Sequence, residues 1–411
     1  MSPFEVVAGL IVVVAMFAYI NHRWLRVAPM IGVTALSLVL AIVLLGADAA
    51  GLVPVRPLAI ELLEAISLDD TLLRGMLGLL LFAGALHVDL AELRGHVVAV
   101  SALAFASTVL STFAVAGLLF ALGSTVALPL SFTHCLLFGA LISPTDPIAV
   151  VGILARAGVP SSLRTQITGE SLFNDGVGVV MFTTILVVAN ASDSAGAQQV
   201  IITFARETVG GATFGLLTGY LVYRILRTID HYPTEVMITL ALVLGGYAAA
   251  VRLHLSAPIA AVCSGLLIGN QGRFLAMSDV TRDRLDTFWT LIEEILNGVL
   301  FLLVGLELLR LTVTSQIVFA AVLAVPIALA ARFASVLAVL LPLSRRIRFA
   351  RGSAALLTWG GMRGAISFAL ALSLPAGPVH DVLVPITYGV VVFSILVQGL
   401  TLDRLARHYA S

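Results

Sequence analysis

The chain has 411 residues, of which 60% are hydrophobic and only 11% are charged, and its formal net charge is zero. Soluble domains carry about 25% charged residues, so the composition excludes a soluble protein and predicts an all-α, polytopic membrane protein. A neutral chain suggests neither a nucleic acid nor an acidic protein as a partner.

Thirteen apolar runs along the chain are long enough, at about 20 residues each, to cross a bilayer as helices. The loops between them are short, apart from one near 47–69, so we expect a single membrane domain over residues 1–411 and no soluble domain. The predicted runs lie near 4–20, 27–46, 70–88, 97–121, 131–155, 163–190, 200–226, 234–252, 257–270, 287–309, 315–341, 353–374 and 382–402.

The arginines give this set of runs an orientation. All 23 basic side chains are arginines, and cytoplasmic loops are usually richer in basic residues than external ones. With a cytoplasmic C-terminus, sixteen arginines fall in cytoplasmic loops and five in external segments, while Arg332 and Arg363 remain inside the membrane. We therefore predict an external N-terminus and a cytoplasmic C-terminus in the cytoplasmic (inner) membrane. The first run lacks a cleavage site and is predicted to be a retained helix.

The fifth run is interrupted by two prolines that enclose a charge. Pro144 and Pro147 each remove a backbone donor and clash with the preceding turn. The stretch Ser143–Pro147 is therefore predicted to unwind and to free carbonyls such as that of Thr145. Asp146 lies within the break, where its charge would offset the positive N-terminus of the half-helix that follows. Unwound backbone at this depth is typical of ion sites in broken-helix transporters.

The sixth run brings four oxygen-bearing side chains together. Counted from the predicted helix start after Pro160, Asp175 lies about a dozen residues in, at roughly 18 Å and hence near the midplane. Glu170 and Asn174 are four residues apart and share a helix face, as do Ser171 and Asp175. Hard cations prefer oxygen ligands. Placing a charged side chain at this depth of the membrane costs about 2.5–3.5 kcal/mol, so charges there usually serve a function. The sequence thus predicts a cation site at mid-depth.

The tenth run opens with Glu293, Glu294 and Asn297. We interpret the two acids as a solvated helix start, where carboxylates suit the helix dipole. Attraction of cations or pH sensing is the alternative interpretation. His87 and the other histidines fall near predicted loops and are interpreted as surface groups, again with pH sensing as the alternative.

The eleventh and twelfth runs each place an arginine at mid-depth. These are Arg332 and Arg363, the latter among three glycines between residues 360 and 364 that weaken the helix. The two arginines face three acids of the earlier runs, Asp146, Glu170 and Asp175. This leaves about one carboxylate for an exchangeable cation, unless the acids are structural and only pair with arginines. Interrupted runs in both halves are typical of an inverted-repeat transporter with its site at the repeat interface.

Four segments resemble those of the monovalent cation:proton antiporter superfamily. They read Ser-Pro-Thr-Asp-Pro-Ile-Ala-Val, Gly-Glu-Ser-Leu-Phe-Asn-Asp-Gly, Phe-Leu-Leu-Val-Gly-Leu-Glu and Gly-Met-Arg-Gly-Ala-Ile-Ser, in the family's order. They are similar to the branch that holds bacterial NhaP-type Na+/H+ antiporters and animal Na+/H+ exchangers. The resemblance implies inverted repeats with two crossed, discontinuous helices near 143–147 and 360–364. It also implies core transport helices at about 70–190 and 287–374, with the other helices forming a dimerisation part.

The resemblance further implies a role for each polar residue of the two breaks. The expected ligands of Na+ and the proton are Asp175, Glu170, Ser171 and Thr145, with Asp175 central and Thr145 acting through its backbone. The expected supporting scaffold consists of Asp146, Asn174, Arg332 and Arg363. In this family an asparagine directly before the aspartate mostly accompanies electroneutral exchange of one cation for one proton.

The sequence and the resemblance together predict a secondary active antiporter. It would exchange Na+, with Li+ as a further candidate, for H+ by elevator-type alternating access. The predicted partners are the cation, H+, membrane lipid and a second copy of the chain, with no cofactor and no catalytic residue. A K+/H+ antiporter of the same fold is the main alternative, and an anion or organic-solute carrier is a weaker one. The sequence has no His-Glu-x-x-His run and no Walker motif, which argues against a metallohydrolase or an ATP-driven pump.

Overall fold

The computed structural model describes residues 3–52, 73–126, 130–190, 197–273, 277–311, 314–347 and 349–410. The regular structure in these ranges is helical throughout, which confirms the predicted all-α class. Most of the predicted loop near 47–69, including Arg56, lies outside the described residues, as does the predicted cytoplasmic Arg348.

The helices follow one another with short connections. They are α1 (Pro3–Ile20), α2 (Pro29–Ala49), α3 (Leu73–Leu86), α4 (Leu90–Arg94), α5 (Val97–Ser101), α6 (Thr108–Val126), α7 (Phe132–Ile142), α8 (Ile148–Arg156), α9 (Ser161–Asn190), α10 (Ala197–Leu226), α11 (Tyr232–Arg252), α12 (Ala257–Leu267), α13 (Asp279–Leu306), α14 (Ser315–Leu343), α15 (Ser353–Trp359), α16 (Ala365–Leu372), α17 (Pro378–Phe393) and α18 (Gly399–Ala410). π-helical turns extend or join some of them, at Asn21–Leu25, Ala102–Ser107, Ile268–Gly272 and Ser394–Gln398.

The helices account for the predicted apolar runs, since each run overlaps at least one of them. In the described part of the chain, eight helical stretches are long and apolar enough to cross a membrane, and shorter apolar helices lie at Gly75–Leu86 and Phe132–Ile142. Large apolar side chains are exposed on the outer surface, among them Leu217 and Leu221 of α10 at 64% and 61%, as contact with lipid requires. The chain is a multi-pass membrane protein, while the count of thirteen crossings stays a prediction.

Both predicted interruptions are confirmed. Helix α7 ends at Ile142 and α8 begins at Ile148, while α15 ends at Trp359 and α16 begins at Ala365. The prolines end the first helix because they lack an amide hydrogen, and the glycines allow the second to unwind. The two breaks touch, because the Asp146 amide donates a 2.8 Å hydrogen bond to the Met362 carbonyl. The discontinuous helices therefore cross, as predicted.

The helices pack as two groups that meet near the crossing. The break bundle comprises α4–α9 and α14–α18, with α6 packed on α7 and α14 packed on both α6 and α17. The flanking bundle comprises α1–α3 and α10–α13, with α3 and α10 packed on α12 and α2 packed on α13. The predicted core at 70–190 and 287–374 includes α3 and α13, which pack mainly in the flanking bundle, and omits α17 and α18. The assignment of helices to transport and dimerisation parts remains a prediction.

Candidate functional site

The first break is held in place by side chains of α9. The Thr145 amide donates to Asn174 Oδ1 at 3.2 Å, and Asn174 Nδ2 donates to Thr145 Oγ1 at 2.9 Å. Thr145 Oγ1 also lies 2.9 Å from Ser171 Oγ. All three residues are buried, and the bond from the Thr145 amide to Asn174 replaces a backbone hydrogen bond that a continuous helix would supply. Asn174 therefore fixes the unwound chain in one position.

Arg363 of the second break closes the end of the first half-helix. Its Nη1 donates to the carbonyls of Ser143 and Pro144 at 3.1 and 3.2 Å. Its own amide donates to Ser394 Oγ at 2.7 Å. The last carbonyls of a helix lack partners and carry partial negative charge, so the guanidinium satisfies and neutralises the end of α7.

Arg332 on α14 pairs with Glu170 on α9. The Nη1 to Oε1 distance is 2.5 Å, and the two side chains are 2% and 1% exposed. Arg332 Nη2 also donates to the Leu357 carbonyl at 3.1 Å, near the end of α15. A buried carboxylate and guanidinium of this kind depend on each other, because either one alone would be an uncompensated charge. Glu170 is thus bound to Arg332 on the side of α9 that faces α14.

Asp146 lies at the N-termini of two half-helices. It precedes α8 in the chain, and it packs so closely on Gly364, the residue before α16, that a Cβ atom there would overlap its carboxylate. Negative charge is favourable at a helix N-terminus. The arginines therefore lie at the carbonyl ends of the broken helices and this aspartate lies at their amide ends.

A cavity of about 230 Å³ lies between the two bundles. The break bundle contributes Asp146, Thr168 and Asp175, and the flanking bundle contributes His87 and Glu293, with Asn297 beside them. Asp175 is only 6% exposed. Among the described lining residues three are carboxylates and none is an arginine or a lysine. The cavity is therefore acidic, while both buried arginines serve other groups.

The predicted site residues fall into two sets. Asp175 and Asp146 line the cavity, whereas Thr145, Ser171 and Asn174 form the clamp on the break. Glu170 pairs with Arg332 and does not appear among the described lining residues, and Arg363 caps α7. The roles of Glu170, Ser171 and Thr145 as ion ligands stay predictions.

Three residues of the cavity were not predicted from the sequence to lie at the site, namely Glu293, Asn297 and His87. The two acids of the tenth run were interpreted as a helix start, and this is wrong, because α13 begins at Asp279, where the Ser278 hydroxyl accepts a hydrogen bond from the Thr281 amide. Glu293 is thus fourteen residues inside the helix. The four-residue spacing of Glu293 and Asn297 was the signal available, since it places both on one helix face.

The chain is similar over most of its length to known antiporters. A family model described as "Sodium/hydrogen exchanger, transmembrane" matches residues 11–408. The Na(+)/H(+) antiporter NhaP of Pseudomonas aeruginosa is 46% identical over 408 residues, which cover 98% of this chain and 96% of that protein. The Na(+)/H(+) antiporter NhaH of Halobacillus dabanensis is 37% identical over 278 residues, or 66% and 67% of the two chains. The solved structure of the sodium proton antiporter MjNhaP1 from Methanocaldococcus jannaschii has the same fold, with a TM-score of 0.80, 18% identity and full coverage of both chains.

Proposed function

The chain belongs to the sodium/hydrogen exchanger family, and from this premise we propose that it is a secondary antiporter that exchanges Na+ for H+ at the carboxylate of Asp175. The observation that carries the proposal is the position of this side chain. It is buried at the crossing of two broken helices and faces a cavity. A carboxylate there can hold either a proton or a cation, and each occupant must leave before the other binds.

The charges around the crossing support Asp175 as the exchangeable group. Glu170 is paired with Arg332, and Arg363 donates to backbone carbonyls. Asp146 lies at two helix N-termini, whose dipoles compensate it in part. Asp175 lines the cavity, so an ion has access to it, and of the three acids at the crossing it is the one that we propose exchanges its occupant. The proposed co-ligands of the dehydrated ion are Ser171, one helical turn before Asp175, and Thr145, whose hydroxyl contacts that of Ser171.

The location of the cavity supports alternating access between the two bundles. His87 follows the end of α3, and Thr168 lies in the second turn of α9. In the predicted orientation both of these helix ends are cytoplasmic, so the cavity connects Asp175 with the cytoplasm. Movement of the break bundle along the flanking bundle would carry Asp175 to the other side, and exchange is obligatory if this movement occurs only with an occupied carboxylate.

The proposed stoichiometry is one cation for one proton. One carboxylate exchanges its occupant, and its neighbour Asn174 is a neutral amide that holds the break through Thr145. A loaded carboxylate then has the same charge with either ion, so a transport cycle moves no net charge. We further propose that the antiporter works as a homodimer in the inner membrane.

The test is transport by the purified protein in liposomes that hold an imposed pH gradient. Na+, K+ or Li+ is added in separate samples, and lumenal pH is followed with a fluorescent dye, with protein-free liposomes as the control. We expect Na+ to collapse the gradient at a rate that does not change when the membrane potential is clamped at zero.

The arms of this experiment separate the candidate functions. Collapse by K+ alone would replace Na+ as the substrate but keep the exchange reaction. Collapse whose rate follows the membrane potential would contradict the one-to-one stoichiometry. No response to any of the three cations between pH 5 and 9 would contradict the antiporter proposal itself.

A further inference from the structure

Two side chains of the flanking bundle face the same cavity as Asp175. Glu293 and Asn297 are one helical turn apart on α13, and both line the cavity. Asn297 is 7% exposed, and its side-chain amide has no hydrogen-bond partner among the described residues. Buried amides are usually paired. An amide left open towards a cavity is suited to bind what enters that cavity.

The Glu293 carboxylate forms no ion pair with an arginine in the described part of the chain. Its basic neighbour is His87, whose Nδ1 lies 3.9 Å from the Glu293 carboxylate, beyond hydrogen-bond distance. The other ring nitrogen of His87, Nε2, lies 3.4 Å from the Thr290 hydroxyl oxygen. Arg273, which precedes α13 in the chain, pairs with Asp286 of that helix. The Glu293 side chain is 21% exposed, so it contacts both the cavity and the solvent beyond it.

The carboxylates of the cavity come from both bundles. Within the described chain, no group of three His, Cys, Asp or Glu side chains is close enough to hold a single metal ion. Asp146 and Asp175 belong to the break bundle, whereas Glu293 belongs to the flanking bundle. The cavity therefore has carboxylates on both bundles, and Glu293 is the one on the flanking bundle.

We infer that Glu293 and the Asn297 amide oxygen form a second cation site, which holds a partly hydrated Na+ before it reaches Asp175. The inference rests on the proposed function, because it assigns a path to the same transported ion. One carboxylate and one amide oxygen, completed by water, give a weak site for a hard cation. Weak binding suits a position from which the ion must move on.

The placement of the site makes its effect one-sided. Glu293 and Asn297 are fixed to the flanking bundle, so they meet Asp175 only when the cavity is open as in this structure. When the break bundle presents Asp175 to the opposite face, the second site no longer lies on the path of the ion. The site therefore assists capture of Na+ from the cytoplasmic face and leaves capture from the external face unchanged.

The transport test compares Glu293→Gln with Glu294→Gln in vesicles of known orientation. Glu294 is the adjacent acid on α13, but it is exposed and does not line the cavity. Na+ concentration is varied on the cytoplasmic face in inside-out vesicles and on the external face in right-side-out vesicles. We expect Glu293→Gln to raise the KM for cytoplasmic Na+ roughly tenfold, since local negative charge concentrates cations by at least that factor. The KM of this variant for external Na+ and its maximum rate should stay within twofold of the wild-type values. For Glu294→Gln, the KM values for cytoplasmic and for external Na+ should both stay within twofold of wild type.

An equal rise in KM at both faces, or no rise at either, would overturn the inference. A second measurement does not depend on transport. Purified Asp175→Asn protein is titrated with radioactive Na+ in detergent, and so is the double variant Asp175→Asn/Glu293→Gln. Residual weak binding that disappears in the double variant supports the second site, and absence of residual binding contradicts it. If the wild type binds Na+ but does not exchange it for H+, the proposed function fails while this titration still decides on the site.

Discussion

The two sides of the crossed helices differ in how their charges are used, although they share helix α9. On the side facing α14, Glu170 and Arg332 form a pair whose members are 1% and 2% exposed. On the cavity side, five residues further along α9, Asp175 faces an acidic space together with Asp146 and Glu293. The two members of a buried ion pair stay together, because separating them would leave each as an uncompensated buried charge. If Asp175 exchanges its occupant as proposed, the fixed charge and the exchangeable charge lie only about one and a half turns apart on one helix.

The largest effect is expected from Asp175→Asn, which removes only the carboxylate proposed to exchange Na+ and H+. Asparagine has nearly the same shape, so the protein should insert and fold, but it offers neither a proton site nor a charge for Na+. We expect no Na+-dependent collapse of a pH gradient in proteoliposomes. Asp283→Asn, at an exposed position on α13, is the matched control and should transport at the wild-type rate. Substantial Na+-dependent exchange by Asp175→Asn would mean that another carboxylate carries the ion.

The next largest effect is expected from Arg332→Gln, on the structural side of the comparison. It leaves Glu170 as a buried charge, and breaking such a pair costs about 3–5 kcal/mol. Thermal unfolding in detergent should therefore occur at a markedly lower temperature. The double variant Arg332→Gln/Glu170→Gln should regain most of this loss, because both charges are then absent.

The matched control for this pair is Arg407→Gln. Arg407 and Asp403 form an exposed pair, with 69% and 40% of the side chains accessible, and exposed pairs contribute only about 0–1 kcal/mol. A double variant as unstable as Arg332→Gln alone would show that hydrogen bonds of Arg332, such as the one to the Leu357 carbonyl, matter more than the charge of Glu170.

A smaller effect is expected where α9 packs on the first break. A Cβ atom at Gly178 would overlap the ring of Pro144, so Gly178→Ala should cost about 1–3 kcal/mol by overpacking. Gly117 on α6 has open space at the same position, and Gly117→Ala should be neutral or slightly stabilising in a helix. The difference in melting temperature between the two variants measures the packing of the break. Equal melting temperatures would indicate that the break can shift without cost.

Local chemistry explains why much of the fold was predictable from the sequence. Pro144 and Pro147 end a helix wherever they occur in its interior, and the glycines between 360 and 364 weaken one, so both interruptions could be located without a structure. That the two interrupted helices cross each other was predicted from the family resemblance and not from local sequence. The acids and arginines of the crossing stood out because charges inside apolar runs are costly.

The cavity could not be predicted in the same way, because it is formed between segments that are far apart in the chain. Nothing in the local sequence indicates that Arg332 pairs with Glu170 rather than with Asp175. The start of α13 was missed because its first turns, from Asp279 to Asp286, are rich in charges and lie outside the apolar run. Because the helix begins at Asp279, Glu293 and Asn297 lie in its middle, where they line the cavity.

The central claim is that Na+ and H+ compete for the Asp175 carboxylate, and proton release on Na+ binding tests it most directly. Purified protein in a weakly buffered detergent solution is mixed with Na+, and the change in pH is recorded with an indicator dye. We expect the wild type and the Arg332→Gln/Glu170→Gln variant to release protons as Na+ binds, and Asp175→Asn to release none. Proton release that persists in Asp175→Asn but disappears when Glu170 is neutralised would contradict the account and assign the exchange to the other side of the crossing.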